Sequence, residues 1–117
     1  MSKTPKKPSP MIGRWRITEM GAWDGDYLDE EEPAFIQFKA GGMGEFHFGY
    51  VHGQMDCRIG ERDGKPGVEW SWEGNDEDHA VFGRGWVVLQ GDGSLSGMIF
   101  FHDGEESSFK ADKSRAG

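Results

Sequence analysis

The sequence predicts an all-β chain: a single antiparallel up-and-down meander of about eight strands, closed into a barrel. Three observations predict it. Apolar and polar residues alternate over most of the chain, and alternation means strand because successive side chains point to opposite faces. Glycine-containing turns such as Lys39-Ala40-Gly41-Gly42, His52-Gly53, Gly91-Asp92-Gly93 and Asp103-Gly104 punctuate the alternation, and such residues tolerate the positive φ angles of tight hairpins. No stretch of normal helical length stands out, and only Ala22–Glu32 has a helical period. A β-sandwich is the alternative. Sandwiches need longer crossovers, and only residues 21–32 supply one.

The elements follow in order. Gly13–Met20 sets Trp15 and Ile17 against Arg14, Arg16 and Thr18. Pro33–Lys39 places Ala34, Ile36 and Phe38 on one side. Gly44–Val51 brings Phe46, Phe48 and Tyr50 together opposite Glu45 and His47. Gln54–Glu61 sets Met55, Cys57 and Ile59 against Gln54, Asp56 and Arg58. Arg62–Gly67 is the longest turn, and Gly67–Glu73 then sets Val68, Trp70 and Trp72 against Glu69, Ser71 and Glu73. His79–Gln90 and Ser94–His102 are apolar on both sides, and Ser107–Ala111 carries Phe109. A closed meander leaves no edge strand to aggregate.

The length of 117 residues suits one domain. Residues 1–10 hold three lysines, three prolines and no acid, and are expected to be a disordered basic tail. Residues 11–111 are the domain, and residues 112–117 a second disordered tail. Between the tails stand 8 Lys+Arg against 20 Asp+Glu, a net of −12. Phosphate backbones need clustered cations, so a nucleic-acid partner is excluded. No apolar run approaches the roughly 20 residues of a membrane helix, and no secretory leader is visible. One cysteine makes no internal disulfide. The expectation is a soluble protein of the bacterial cytoplasm with no cofactor.

Gly13-Arg14-Trp15 at the start of the first strand resembles the opening of the calycin barrels: lipocalins, avidins and fatty-acid-binding proteins. In lipocalins the tryptophan closes one end of the barrel beneath a basic residue from the last strand. The resemblance implies that place for Lys110. The chain also resembles a group of small bacterial proteins sharing this tripeptide and the Trp23-Asp24…Asp26-Tyr27-Leu28 segment. They also share Ser71-Trp72-Glu73-Gly74-Asn75-Asp76, Gly83-Arg84-Gly85-Trp86 and Phe100-Phe101-His102…Gly104. That resemblance implies a common fold and brings no activity with it.

Alternation assigns Trp15, Ile17, Ile36, Phe38, Phe46, Phe48, Tyr50, Trp70, Trp72, Phe82, Trp86, Val88, Ile99, Phe101 and Phe109 to the interior. Eight strands enclose space for packed side chains or one small ligand, so this load implies a filled core or a shallow stacked pocket. Arg84 has the parity of Phe82 and Trp86. An inward arginine must be paired, or must hold a ligand carboxylate. The ligand candidates are therefore Arg84, Trp15, Trp70, Trp72, Trp86 and Tyr50. On the opposite parity Val81, Val87, Leu89, Met98 and Phe100 form an outward apolar patch, which implies a homodimer or a protein partner. Residues 21–32 folded over that patch are the other way to bury it.

The acidic loop Glu73–His79 offers Asp76, Asp78 and His79 to a divalent metal, without the spacing of an EF-hand. The acidic run Asp24–Glu32 belongs over a barrel mouth, with Trp23, Tyr27 and Leu28 pinning it. His47, His52, His79 and His102 show no His-x-His spacing, and no Cys-x-x-Cys occurs. Cys57, on the apolar side, is a small hydrophobe. The leading functional expectation is a non-enzymatic domain that binds a small molecule or a protein partner. A homo-oligomeric scaffold without ligand is the second reading, and a metal-dependent enzyme built on residues 73–79 is the third.

Overall fold

Eight antiparallel strands, each bonded to its neighbours in sequence, close into one barrel. The computed structural model describes residues 9–114. The strands are β1 (Gly13–Met20), β2 (Phe35–Phe38), β3 (Met43–Phe48), β4 (Val51–Arg62), β5 (Lys65–Asp76), β6 (His79–Leu89), β7 (Leu95–Phe101) and β8 (Glu106–Lys113). β1 pairs with both β2 and β8, which closes the ring. The meander is therefore a barrel and not a sandwich. A four-residue helix, α1 (Gly25–Leu28), interrupts the β1–β2 connection. The expected basic tail lies outside the described residues, apart from Ser9 and Pro10. β8 runs two residues past the expected domain boundary, because Asp112 and Lys113 pair with Arg16 and Trp15.

The turns are tighter than the glycine pattern suggests. Arg62 pairs with Lys65 across Asp63-Gly64, whose φ angles of 54° and 78° give a two-residue hairpin. The β3–β4 turn is Gly49-Tyr50, not His52-Gly53. That shift takes Tyr50 out of the strand interior and places His47 directly opposite His52.

The interior is filled by rings that stand opposite glycines. Phe46 pairs with Gly53, Trp70 with Gly85, Trp72 with Gly83 and Phe109 with Gly97. A Cβ at Gly53 would overlap the Phe46 ring, and one at Gly85 the Trp70 ring. Large and small residues thus interdigitate, as a narrow barrel requires. The predicted interior residues Trp15, Ile17, Ile36, Phe38, Phe46, Phe48, Trp70, Trp72, Ile99 and Phe109 are all buried.

β6 is the correction. Its inward positions are Val81, Gly83, Gly85, Val87 and Leu89, and Val87 is fully buried. Phe82, Arg84 and Trp86 therefore face outward, and Phe82 is 53% exposed. An inward side chain at position 85 would overlap the Trp70 ring and one at position 83 the Phe100 backbone, so the glycines turn inward and the bulky residues go outside.

Both barrel ends are closed. At one end the Trp15 indole donates to the Met11 carbonyl at 3.0 Å. Lys113 lies 4.7 Å from the centre of the Trp15 ring and donates to Ile12. The last strand does place a cation over this tryptophan, but it is Lys113; Lys110 pairs with Glu19. At the other end α1 inserts the buried Leu28. Trp23 packs on Phe48 and Phe101, and Tyr27 on Tyr50. Residues 21–32 thus cap a mouth instead of covering the face of β6 and β7.

Candidate functional site

Two places on the outer surface gather chemistry-bearing side chains. The first is a groove on the face of β4–β7. Strand register builds it: Arg58, Glu69, Trp86 and Met98 form one cross-strand row, and Asp56, Ser71, Arg84 and Phe100 the next. The groove holds about 500 Å3 and is lined by these residues except Met98, together with Arg62, Gly85 and Trp70. Arg58 pairs with Asp56 at 2.8 Å, and Arg62 with Glu69 at 3.4 Å. Arg62 also lies 4.2 Å over the Trp86 ring. Arg84 makes no ion pair or hydrogen bond among the described residues. It stands opposite Ser71 and Phe100 as the unmatched cation of the groove.

Trp70 belongs to the core and is 4% exposed, yet it also lines this groove beside Gly85. Its indole Nε1 is the one buried side-chain polar atom without a hydrogen-bond partner among the described residues.

The predicted ligand residues therefore separate. Arg84 and Trp86 meet in the groove, with Trp70 beneath them. Trp72 is buried and donates from Nε1 to the Phe100 carbonyl at 3.2 Å. Trp15 closes one barrel end, and Tyr50 sits in the turn at the other. Of the predicted interface residues, Met98 and Phe100 face outward, whereas Val81, Val87 and Leu89 point into the barrel. The outward apolar surface of β6–β7 is Phe82, Trp86, Met98 and Phe100.

The acidic loop does not converge. Glu73–Asp76 belong to β5, where side chains alternate between faces, and Asp76 pairs with His79. Asp76, Asp78 and His79 form no metal-ligand group among the described residues. Cys57 is buried; loss of solvation, with a smaller push from Asp56 against the pull of Arg58, raises its thiol to about 11. It is no nucleophile at neutral pH.

The second place lies beside the α1 cap. His47 is 2% exposed, on the outer face of β3. Its ring stacks on His52 at 3.9 Å. Its Nδ1 lies 2.9 Å from a Glu32 carboxylate oxygen, and its Nε2 is 3.0 Å from both Glu31 and the Gly49 carbonyl. The Nε2 of His52 reaches the same Glu31 oxygen at 3.3 Å. The ligand atoms of Glu31, His47 and His52 all lie within 4.8 Å of one another. Sequence reasoning missed this cluster. The available signal was the turn: with Gly49-Tyr50 as the loop, positions 47 and 52 must face each other.

Comparison with protein-family models, with curated proteins and with solved structures finds no match for this chain. No helix among the described residues is long and apolar enough to cross a membrane.

Proposed function

We propose that this barrel is a non-enzymatic binding domain that takes a small organic carboxylate with a flat apolar body in the β4–β7 groove. The observation that carries the reading is Arg84, a cation without a partner among the described residues, beside Trp86 and Phe100 on a chain whose formal charge is −8. A guanidinium fork donates two parallel N–H bonds to a carboxylate, and the neighbouring rings offer a stacking surface. The groove has the volume of a small-molecule site. The filled interior supports an outer site over a calycin-type internal one. Kinship with the calycins is part of this reading, supported by Trp15 beneath Lys113. A cytoplasmic location is part of it too, since the lone cysteine is buried and free.

Titration of the protein with 1-naphthoate, with 1-naphthalenemethanol as the uncharged control, tests it by amide chemical shifts. Saturable shifts confined to β4–β7, at least tenfold weaker with Arg84→Ala and absent for the alcohol, are expected. Equal binding of acid and alcohol, or shifts elsewhere, overturns it. The second reading is a homodimer through Phe82, Trp86, Met98 and Phe100, supported by the exposure of Phe82. Sedimentation equilibrium showing a dimer that Met98→Glu dissociates would favour it.

A further inference from the structure

We propose that Glu31, His47 and His52 form a zinc site at the capped end of the barrel, oriented by Glu32. This site is independent of the β4–β7 groove.

The local geometry has four parts. First, the two-residue turn sets His47 and His52 directly opposite on one face. Second, the segment after α1 is tied down, so that its acids arrive in place. Asp29 pairs with Arg16 at 2.7 Å and accepts from the Ala34 amide at 2.9 Å, and the Gly49 amide donates to the Leu28 carbonyl. Third, both imidazoles present Nε2 to one Glu31 oxygen, at 3.0 and 3.3 Å. Ligands about 2.0–2.1 Å from a tetrahedral zinc stand roughly 3.4 Å from each other, so small movements admit the ion. Fourth, Nδ1 of His47 is turned to Glu32. This is the carboxylate–histidine arrangement that fixes the tautomer of a metal ligand and raises its basicity.

Hydrogen-bond capacity points the same way. Both nitrogens of the buried His47 face acceptors only. A neutral imidazole carries one N–H, so it satisfies one side. With Nδ1–H donated to Glu32, Nε2 is left with its lone pair facing Glu31 and Gly49 oxygens. A cation at Nε2 removes that conflict. The surroundings favour positive charge. Glu31 and Glu32 both bring a carboxylate oxygen to His47, at 3.0 and 2.9 Å. Two nitrogens and one carboxylate are a borderline donor set suited to zinc rather than to calcium or magnesium. Glu31 and His52 are exposed, so the fourth position is open to water. The ion would join the cap segment to the β3–β4 hairpin.

The competing occupant is a second proton on His47, which would make the cluster a plain ion-pair latch. Titration of the full chain with Zn2+ against a chromophoric chelator, and with Co2+ by visible absorption, separates the two. The expected result is one equivalent bound, with the intense visible bands of four-coordinate cobalt. His52→Ala, at an exposed position that leaves the fold intact by circular dichroism, should weaken zinc at least 100-fold. Glu32→Gln should weaken it about tenfold. Zinc should raise the Tm of the parent protein and leave that of His52→Ala unchanged. Binding retained in His52→Ala, or cobalt spectra of an octahedral aquo type, overturns the proposal, as does the absence of binding at micromolar zinc.

Discussion

The two faces of the β5–β6 ribbon obey opposite rules. Inside, Trp70 lies over Gly85 with no room to spare, and a side chain at Gly83 would strike the Phe100 backbone. Outside, Trp86 and Arg84 stand beside an open groove. The same segment decides both faces: Gly85 admits the Trp70 ring, and its outward neighbours Arg84 and Trp86 supply the groove. The inner face is governed by volume, the outer by unmatched chemistry. Aromatic content alone therefore says little about where a ligand binds.

The comparison is broken most directly from the inside. Phe46→Ala should cost about 3–5 kcal/mol in urea denaturation, because a fully enclosed ring leaves a cavity. Next come the facing glycines. Gly53→Ala and Gly85→Ala should each cost about 1–3 kcal/mol through overpacking, whereas Gly60→Ala, whose Cβ would meet nothing within 4 Å, should stay within about 0.5 kcal/mol. A neutral Gly85→Ala would mean that the interior has spare room after all, and an internal ligand would return to consideration.

A smaller effect follows from Cys57. Its folded-state pKa of about 11 lies above the ordinary 9.0. Below 9 both states carry the thiol proton. Above 9 the unfolded chain releases it first, so the cysteine's contribution to stability falls as pH rises toward 11. The stability difference between the parent protein and Cys57→Ala should therefore narrow over that window. The smallest change is expected outside: Arg84→Ala and Trp86→Ala should alter stability by under about 0.5 kcal/mol while weakening carboxylate binding. A large loss of stability at Arg84 would show that it serves packing and would remove the distinction between the faces.

The architecture was legible because its signals are local. Alternation and the Asp-Gly and Gly-Gly turns identify all eight strands, and the aromatic cap at Trp23, Tyr27 and Leu28 was visible as one helical face. β6 failed because it is apolar on both sides, so periodicity alone could not choose a face. The choice needed its partners, since Gly85 faces the Trp70 ring of β5 and Gly83 lies against the Phe100 backbone of β7. The His47–His52 pair failed for a different reason. The turn was placed three residues late, and a register error of that kind separates residues that belong together.

The sequence by itself determined the strand count, the antiparallel meander order and the acidic balance of the chain, because each rests on period, turn chemistry or composition along the chain. Tertiary structure alone decided which face Arg84 and Trp86 occupy, which lysine covers Trp15, and that Glu31 meets two histidines from another hairpin. These depend on cross-strand register and on competition for volume, and neither is a property of any single segment.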